Sequence, residues 1–306
     1  EARETAGRLC RDHGDDPTLY DSFDRLVESD EYDAAVLSTP NDFHVEQSIE
    51  LLSAGADVFC EKPIATTIEG HDRLIDADRA SGGRYFVGFN LRSSPFYTRL
   101  KELIDGGALG DLGMIGCREA RGHFTADYSF SQERSGGALL DKNCHDFDLY
   151  NWYADGDPVT VSAFGGQHFH TENTDVNDQA VVIVRYDTGL IATLELCMYA
   201  PFGERTRMYA LRGSEGLLRA TNQGGEGYLF KRGERETIEI TNRGGGHGGA
   251  DSRQMKRFLR FLKGDAERPA TPLDAKKADA VALAGELAIA EDTTVDLDSA
   301  YDLHPR

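Results

Sequence analysis

Three residues that can exchange protons, Asp141, His145 and Asp148, fall in one predicted helix, 136–153. Side chains spaced by four and then three positions share one face of a helix. An imidazole flanked by carboxylates is a candidate general base, because the acids favour its protonated form and fix its orientation. The same spacing also occurs in an ordinary Asp and His pair on a helix surface, so a catalytic and a structural interpretation both stay open.

A second candidate for proton chemistry is Lys62, which follows the short apolar run Val58 to Cys60 and precedes Pro63. The residue before a proline avoids the helical region, so the chain turns there and can point the amine into a cleft. The alternative is a surface lysine in a turn. Position alone does not separate the two.

A strand, helix, strand unit would place Lys62. Ala34 to Ser38 is a short apolar strand, the segment 43–54 has apolar residues at helical spacing, and Val58 to Cys60 is the next strand. Strands joined in this way are parallel, and their carboxyl ends share one edge of the sheet. We therefore expect Thr39-Pro40-Asn41 and Glu61-Lys62-Pro63 to meet in one crevice.

The rest of the first domain, residues 1–92, continues this alternation. Glu1 to His13 and Phe23 to Ser29 are predicted helices, Thr66 to Glu69 is a capping box that opens a helix ending near Ser81, and Tyr85 to Phe89 is a buried strand leading to Asn90 and Arg92.

Residues 93–306 have a different sequence pattern, which predicts longer strands separated by turn residues. The hairpin signals at Asp187-Thr-Gly189 and Gly213 to Gly216 predict a large, mainly antiparallel open sheet. The predicted strands are Leu112 to Phe124, Val159 to His170, Ala180 to Tyr186, Leu190 to Tyr199, Arg207 to Arg212, Gly216 to Ala220 and Gly227 to Ile240. Helices 95–104, 136–153, 251–262 and 274–291 complete this α+β domain, and one bare sheet face favours a homo-oligomer.

The chain of 306 residues carries 53 acidic and 33 basic residues, for a net charge of -20. This balance argues against nucleic acid or an anionic membrane as a partner, because both would repel it. The acids are dispersed, which is typical of a solvated coat such as a salt-adapted cytoplasm favours; a specific cationic partner is the alternative.

The five cysteines, at 10, 60, 117, 144 and 197, are scattered and odd in number, and this pattern predicts neither a disulfide framework nor a thiolate metal site. No apolar run has the length of a membrane span, and no signal peptide opens the sequence. We expect a cytoplasmic protein.

Two motifs carry a resemblance to a known family. Thr39-Pro-Asn-x-x-His44 with Glu61-Lys62-Pro63, and Gly136-Gly137 followed by Asp141, His145 and Asp148, resemble the patterns of the Gfo/Idh/MocA family of nicotinamide-dependent sugar and polyol oxidoreductases. The resemblance covers nearly the whole chain. It implies hydride transfer between NAD or NADP and a secondary hydroxyl of a carbohydrate substrate.

The resemblance also implies roles for individual residues. Lys62 would be the acid/base or hydroxyl-polarising group, with its pKa lowered beside an oxidised nicotinamide, His145 its partner, and Asp141 the residue that binds or orients. The cofactor side would be lined by Ser38, Thr39, Pro40, Asn41, His44, Glu61, Lys62 and Asn90. Arg92 and His247 are the predicted substrate contacts.

The sequence departs from the family pattern in two places. Asn143 stands where the family has glycine, and a larger side chain there is expected to shrink or re-tune the substrate pocket. No glycine-rich phosphate turn follows a first strand, so the parallel sheet is predicted to be an incomplete Rossmann-type α/β domain that lacks roughly 30 to 45 residues at its start. The residue that would select NAD or NADP would lie in that part.

Three alternatives remain open. His247-Gly-Gly-x-Asp251 is similar to loops in NAD-dependent glycosidases of the same family, and other members are non-catalytic sugar-sensing regulators. A hydrolytic metal site is the third, although the spacing is not diagnostic and we predict no metal. Its ligands would come from His123, His145, His168, His170, Asp141 and Asp148.

Overall fold

The computed structural model describes residues 17–201, 206–222, 225–240 and 246–303. The predicted helix Glu1 to His13 lies outside these ranges. Within them the chain forms a small parallel sheet, followed by a large and mostly antiparallel sheet. The predicted fold class is therefore confirmed.

The small sheet has the strand order β1-β2-β3, and both neighbouring pairs are parallel. Its elements in chain order are α1 (Phe23–Ser29), β1 (Ala34–Leu37), α2 (His44–Ser53), β2 (Asp57–Glu61), α3 (Ile68–Ala80) and β3 (Tyr85–Gly88). In β2, Val58 pairs with Tyr85 of β3, and Leu37 of β1 pairs with Cys60. All three strands end at the same edge, as the sequence predicted.

The start of α3 corrects one prediction. The N-cap is Thr67, whose side chain accepts a hydrogen bond from the backbone N–H of Gly70 at 3.1 Å. Because the predicted cap Thr66 lies one residue too early, Glu69 is not the residue that would close a capping box. Two adjacent threonines made the register ambiguous from sequence.

The large sheet has nine strands in the order β11-β10-β9-β8-β4-β7-β6-β5-β12. All neighbouring pairs are antiparallel except β4 and β7, which run parallel. The strands are β4 (Leu112–Ala120), β5 (Pro158–Gly166), β6 (Gln179–Tyr186), β7 (Ile191–Cys197), β8 (Thr206–Gly213), β9 (Leu217–Thr221), β10 (Glu226–Lys231), β11 (Glu234–Glu239) and β12 (Thr294–Asp296).

The segment predicted as one strand, Gly227 to Ile240, is a hairpin of β10 and β11. Arg232 and Gly233 both have positive φ, 53° and 82°, which is the conformation of a two-residue hairpin turn. An arginine in the first turn position is not the usual asparagine or aspartate, so the turn carried a weak sequence signal.

The remaining helices are α4 (Pro95–Asp105), α5 (Gln132–Ser135), α6 (Ala138–Tyr153), α7 (Gly246–Leu262), α8 (Pro272–Glu291) and α9 (Leu297–Tyr301). Helix α7 is irregular at His247, Gly248 and Gly249, which have positive φ. Its Phe258 packs edge-on against Phe59 and Phe86 of the small sheet, and so α7 covers one face of that sheet.

Helices α6 and α8 pack against each other, and α8 packs on β5 of the large sheet. Helix α6 contacts the sheet through Tyr150, whose hydroxyl donates to the Thr193 carbonyl at 2.9 Å. The close approach of α6 and α8 needs Gly285, where a Cβ would lie 2.7 Å from Leu139 of α6. Helix α6 is buried almost all round, including its polar residues Asp141, His145 and Asp148. It is therefore a core element whose polar groups need protein partners.

Within the part of the chain that the structure describes, every helix is too short or too polar to cross a membrane. Cys60, Cys117, Cys144 and Cys197 are free thiols.

Candidate functional site

A cavity of about 430 Å³ opens where the parallel strands end and helix α6 begins. It is lined by polar residues from both halves of the chain. They are Glu61, Lys62, Asn90, Glu119, Ala120, Arg121, Asp141, Lys142, His145, Thr206, Arg207, Asn222, His247 and Asp251. The three predicted catalytic residues, Lys62, Asp141 and His145, are all in this set.

Lys62 is held at the end of β2 by the first turn of α6. Its Nζ donates a hydrogen bond to the backbone oxygen of Asp141 at 2.6 Å and lies 3.9 Å from the Asp141 carboxylate. Burial alone lowers the pKa of Lys62, but Cys144, Asp141 and Glu61 outweigh it, and the net pKa lies above its ordinary value. Lys62 is thus an ammonium at neutral pH in the ligand-free protein.

Asp141 is buried and surrounded by donors. Its Oδ1 accepts from Asn41 at 3.3 Å, and its Oδ2 accepts from the Ser129 hydroxyl at 3.1 Å and lies 2.7 Å from the Lys142 ammonium. Burial works to raise the pKa of Asp141, but Lys62 and Lys142 overcome it and lower the pKa below its ordinary value. Asp141 is a fixed anion that orients the two lysines.

His145 lines the cavity with only 8% of its surface exposed, and its Nδ1 has no hydrogen-bond partner among the described residues. Burial, and next the positive charges of Lys62, Arg207 and His247, lower its pKa well below the ordinary value. The prediction that flanking carboxylates favour the protonated ring is wrong, because cations surround it. The ring is neutral at pH 7.

Asp148 is the carboxylate that the helical spacing placed beside His145, but it pairs elsewhere. The Arg92 guanidinium donates to both of its oxygens, at 2.9 Å and 2.7 Å, and also donates to the Pro269 carbonyl at 2.6 Å. Neither Arg92 nor Asp148 lines the cavity. The structure therefore gives the Arg92 guanidinium the position of a buried clamp outside the cavity lining, and the substrate contact by Arg92 stays a prediction.

His247, the other predicted substrate contact, stands at the exposed mouth of the cavity. Its Nδ1 lies 3.0 Å from the Asp251 carboxylate, which also accepts a hydrogen bond from Asn90 at 2.6 Å. This chain of contacts connects the end of β3 to helix α7. Burial raises the pKa of the neighbouring Glu61 carboxyl, although Lys62 opposes the effect.

The residues after β1 lie behind the cavity wall. Asn41 donates to the Ser135 carbonyl at 3.1 Å as well as to Asp141, and the Thr39 hydroxyl donates to Gln47 at 2.7 Å. The His44 ring nitrogens lie 2.7 Å and 2.8 Å from the carbonyl oxygens of Pro63 and Thr39. His44 therefore ties two loops together, while Ser38 and Pro40 lie outside the cavity lining.

Sequence reasoning missed four charged residues of the cavity: Glu119, Arg121, Lys142 and Arg207. Glu119 and Arg207 face each other across β4 and β8, on the same buried faces of these strands as Cys117 and Tyr209. A charged residue in the apolar register of a strand was the signal that could have found them.

Asn143, which stands where the family has glycine, does not make the cavity smaller as expected. Its side chain is fully buried beneath the cavity wall and donates to Glu119 at 2.7 Å and to Asp146 at 2.9 Å. It does not line the cavity. Asn143 therefore holds two carboxylates in place and takes no space from a ligand.

Among the described residues, no three His, Cys, Asp or Glu side chains are grouped to hold a metal ion. The histidines of the metal hypothesis are divided between two places. His123 stacks on His170 with ring centroids 3.6 Å apart, whereas His145 lies in the cavity.

The fold and the cavity define a protein with a nucleotide-type parallel sheet and a second, open-sheet domain. Two models of one family match it: an oxidoreductase family model with an NAD-binding Rossmann fold matches residues 3–89, and a GFO/IDH/MocA C-terminal domain model matches residues 97–219. The chain belongs to the Gfo/Idh/MocA family.

Curated relatives are similar over part of their length. An inositol 2-dehydrogenase of Acidothermus cellulolyticus is 30% identical over 185 residues, covering 60% of this chain and 52% of the relative. An uncharacterized oxidoreductase of Streptococcus pneumoniae is 30% identical over 205 residues, covering 65% of this chain and 54% of the relative. The chain thus spans about half the length of the curated relatives it matches.

Solved structures share the fold over almost the whole chain. Levoglucosan dehydrogenase, in complex with NADH and levoglucosan, has a TM-score of 0.84 at 20% identity, covering 96% of this chain and 87% of that one. An oxidoreductase domain protein from Kribbella flavida has a TM-score of 0.82 at 19% identity, covering 90% and 83%. At this identity the likeness establishes the architecture alone.

Proposed function

We propose that the protein is a dehydrogenase that transfers a hydride between NAD or NADP and a secondary hydroxyl of a sugar, polyol or sugar derivative. The observation that carries the proposal is the meeting of Lys62 and His145 in one cavity at the carboxyl ends of the parallel strands. The family models and the inositol dehydrogenase relatives support it.

The residues around Lys62 fit a nicotinamide ring. The Asn90 Oδ1 atom is buried without a partner among the described residues, and a carboxamide offers the N–H donors that such an oxygen needs. Glu61 offers a further acceptor beside it. When bound, the nicotinamide supplies the redox chemistry of hydride transfer.

The protein's own contribution is the management of one proton. The Lys62 ammonium donates a hydrogen bond to the substrate hydroxyl oxygen, and the neutral His145 ring accepts the proton that this hydroxyl loses. Asp141 keeps the Lys62 Nζ aimed at that oxygen through the contact between Nζ and its backbone oxygen, 2.6 Å long. Glu119 and Arg207 close the far wall.

The test is accumulation of reduced cofactor when the protein is mixed with NAD or NADP and a panel of inositols, polyols and sugars. Turnover in the wild type that is lost in Lys62→Met supports the proposal. Release of the leaving group from nitrophenyl glycosides, without reduced cofactor, would instead indicate the glycosidase alternative. Sugar binding with no chemistry at all would indicate a regulator.

We also propose that copies of the chain pair through the outer face of the large sheet. This face exposes Phe164, Val181, Ile183 and Met208, and its centre is a row of small residues in which Gly116 lies between Thr193 and Ala210. Apolar patches of this kind are usually covered in solution.

Light scattering tests the pairing. We expect a homo-oligomer that Ile183→Asp dissociates, whereas Leu259→Asp, at an exposed apolar position on α7, leaves it intact. A monomeric wild type would refute the pairing.

A further inference from the structure

The cavity has two chemically different ends. One end, which we call the α7 end, contains Glu61, Asn90, His247 and Asp251; the other, the sheet end, contains Glu119, Arg121, Lys142 and Arg207. Groups at both ends affect His145. Burial has the largest effect on its pKa, and Arg207 of the sheet end and His247 of the α7 end lower this pKa further. The two ends therefore flank the reacting position.

The carboxylates of Glu119 and Asp146, near the sheet end, are already bonded to protein donors. Glu119 accepts hydrogen bonds from Arg207 at 2.9 Å, from Asn143 at 2.7 Å and from Arg121 at 3.3 Å. Asp146, buried behind it, accepts from Tyr209 at 2.6 Å and from Asn143. Protein donors thus occupy three of the roughly four acceptor positions of Glu119, and Asp146 does not line the cavity.

Two cations at this end reach the cavity space. The Arg121 side chain is 22% exposed and the Lys142 side chain 19%, whereas the Glu119 side chain is 8% exposed. Among the described residues, the Arg121 guanidinium makes one long hydrogen bond, to Glu119 at 3.3 Å. Lys142 contacts the Asp141 Oδ2 and lies 5.0 Å from the Phe124 ring centroid. A ligand at this end meets ammonium and guanidinium donors.

These donors are also crowded by one another. Burial, together with the charges of Lys62 and Arg121, lowers the pKa of Lys142, although Asp141 opposes the effect. A negatively charged ligand group would relieve this repulsion. The cavity lining has four basic and four acidic residues, whereas the whole chain has 33 basic and 53 acidic residues, so the cavity is richer in cations than the average of the chain.

We propose that the sheet end binds a substrate carboxylate, so that the substrate class is the sugar acids, such as hexuronates and aldonates. Arg121 and Lys142 hold the carboxylate while Lys62 and His145 act on a secondary hydroxyl of the same molecule. Charged donors are the usual partners of carboxylates in proteins, and arginine matches their planar geometry. This inference rests on the proposed dehydrogenase function for its hydroxyl chemistry.

The experiment compares matched pairs: glucuronate with glucose, galacturonate with galactose, and gluconate with glucitol, each with NAD and with NADP. We expect the wild type to reduce cofactor with the acids at a kcat/KM about 100-fold above that of their neutral partners. Arg121→Gln and Lys142→Gln should each raise KM for the acids about 10-fold or more and affect the neutral partners by a smaller factor, so that the ratio of kcat/KM between acid and neutral partner falls about 10-fold. Arg79→Gln, on the exposed face of α3, is the control.

Equal or better turnover of the neutral partners would overturn the carboxylate assignment while leaving the dehydrogenase proposal standing. Preference for glucose 6-phosphate over glucuronate would also overturn it, in favour of a phosphate. If no compound is oxidised, thermal shift still decides: glucuronate, but not glucose, should raise the Tm of the wild type and fail to raise that of Arg121→Gln. No shift with glucuronate would reject the site.

Discussion

Asp141 and Asp148 lie on one face of helix α6 and are equally buried, yet their carboxyl groups behave in opposite ways. Burial raises the pKa of Asp148 to about 6, since Arg92 offsets it only in part and Asp274 and Asp279 add to it. Burial has the same sign at Asp141, but Lys62 and Lys142 reverse it and lower the pKa. The charges next to each carboxyl group therefore decide the direction of its pKa shift, and its place on the buried face of the helix does not.

The different partners of the two aspartates correspond to different roles: Asp141 is part of the cavity site, and Asp148 is part of a structural clamp. Around Asp141 the partners are lysine ammonium groups on flexible stems at the wall of a cavity, and they can respond to a ligand. Around Asp148 the partner is a guanidinium with two parallel hydrogen bonds and no access to the cavity. We therefore expect changes beside Asp141 to affect activity and changes beside Asp148 to affect stability.

The largest expected effect is at Lys62. Lys62→Met removes the ammonium that polarises the substrate hydroxyl but keeps an unbranched side chain that is one atom shorter, so kcat should fall by about 1000-fold. The Tm should change little, because the Asp141 carboxylate keeps Asn41, Ser129 and Lys142. Steady-state kinetics and a thermal scan measure the two quantities.

Lys277→Met is the matched control, since that lysine pairs with Asp157 away from the cavity. It should retain wild-type kcat. A Lys62→Met protein that keeps more than about a tenth of wild-type turnover would remove Lys62 from the chemistry.

Beside Asp148, the variant that corresponds to Lys62→Met is Arg92→Met. We expect it to lower the free energy of unfolding by about 3 kcal/mol, because Asp148 is left buried without its partner. Activity per folded molecule should stay near that of the wild type. Denaturant unfolding and kinetics at low temperature measure these. The double variant Arg92→Met, Asp148→Asn should recover part of the lost stability.

If Arg92→Met instead raised KM with no loss of stability, Arg92 would be the substrate contact that the sequence suggested. The comparison between the two aspartates would then fail on the Asp148 side.

These two residues also show how far the sequence could lead. The strand, helix, strand unit and the helical spacing within α6 are local signals, and they predicted the place of Lys62 at a strand end and the shared face of Asp141 and His145. The meeting of Lys62 with these two residues was implied by the family resemblance. The partners of each charge were not predictable in the same way. Arg92 joins Asp148 across a long stretch of chain, and Glu119 meets Arg207 only because β4 and β8 pair.

The same limit explains the Asn143 result. A larger side chain in place of glycine suggested a smaller pocket, because the sequence shows how large a side chain is but not where it points. In the structure the side chain points beneath the wall, toward Glu119 and Asp146. Direction follows from how α6 packs on the large sheet, which is a property of the whole fold.

The pH dependence of stability should have opposite signs at the two aspartates. The pKa of Asp148 is raised from 3.8 to about 6, so the folded state binds its proton more tightly than the unfolded state does. This stabilisation is complete below pH about 4 and is lost as the pH rises through about 6, amounting to on the order of 3 kcal/mol. In Asp148→Asn, this decrease in stability with rising pH should be absent.

Asp141 has a lowered pKa, so its contribution is present above the ordinary Asp value and is lost as the pH falls below about 4. The stability of the wild type relative to Asp141→Asn should therefore decrease on acidification, whereas relative to Asp148→Asn it should increase. Urea unfolding from pH about 3 to 7 measures both differences. If the two stability differences changed with pH in the same direction, burial alone would control the pKa values of both carboxyl groups.

The smallest expected effect tests whether Asp141 depends on any single neutral donor. Ser129→Ala removes the hydroxyl that donates to the Asp141 Oδ2 at 3.1 Å, and it should cost about 1 kcal/mol of stability. Because Lys62 and Lys142 supply most of the favourable field, kcat should change by less than about 3-fold. A loss of activity as large as that of Lys62→Met would mean that the hydroxyl fixes the position of the carboxylate, and that the lysines alone do not keep Asp141 in its working geometry.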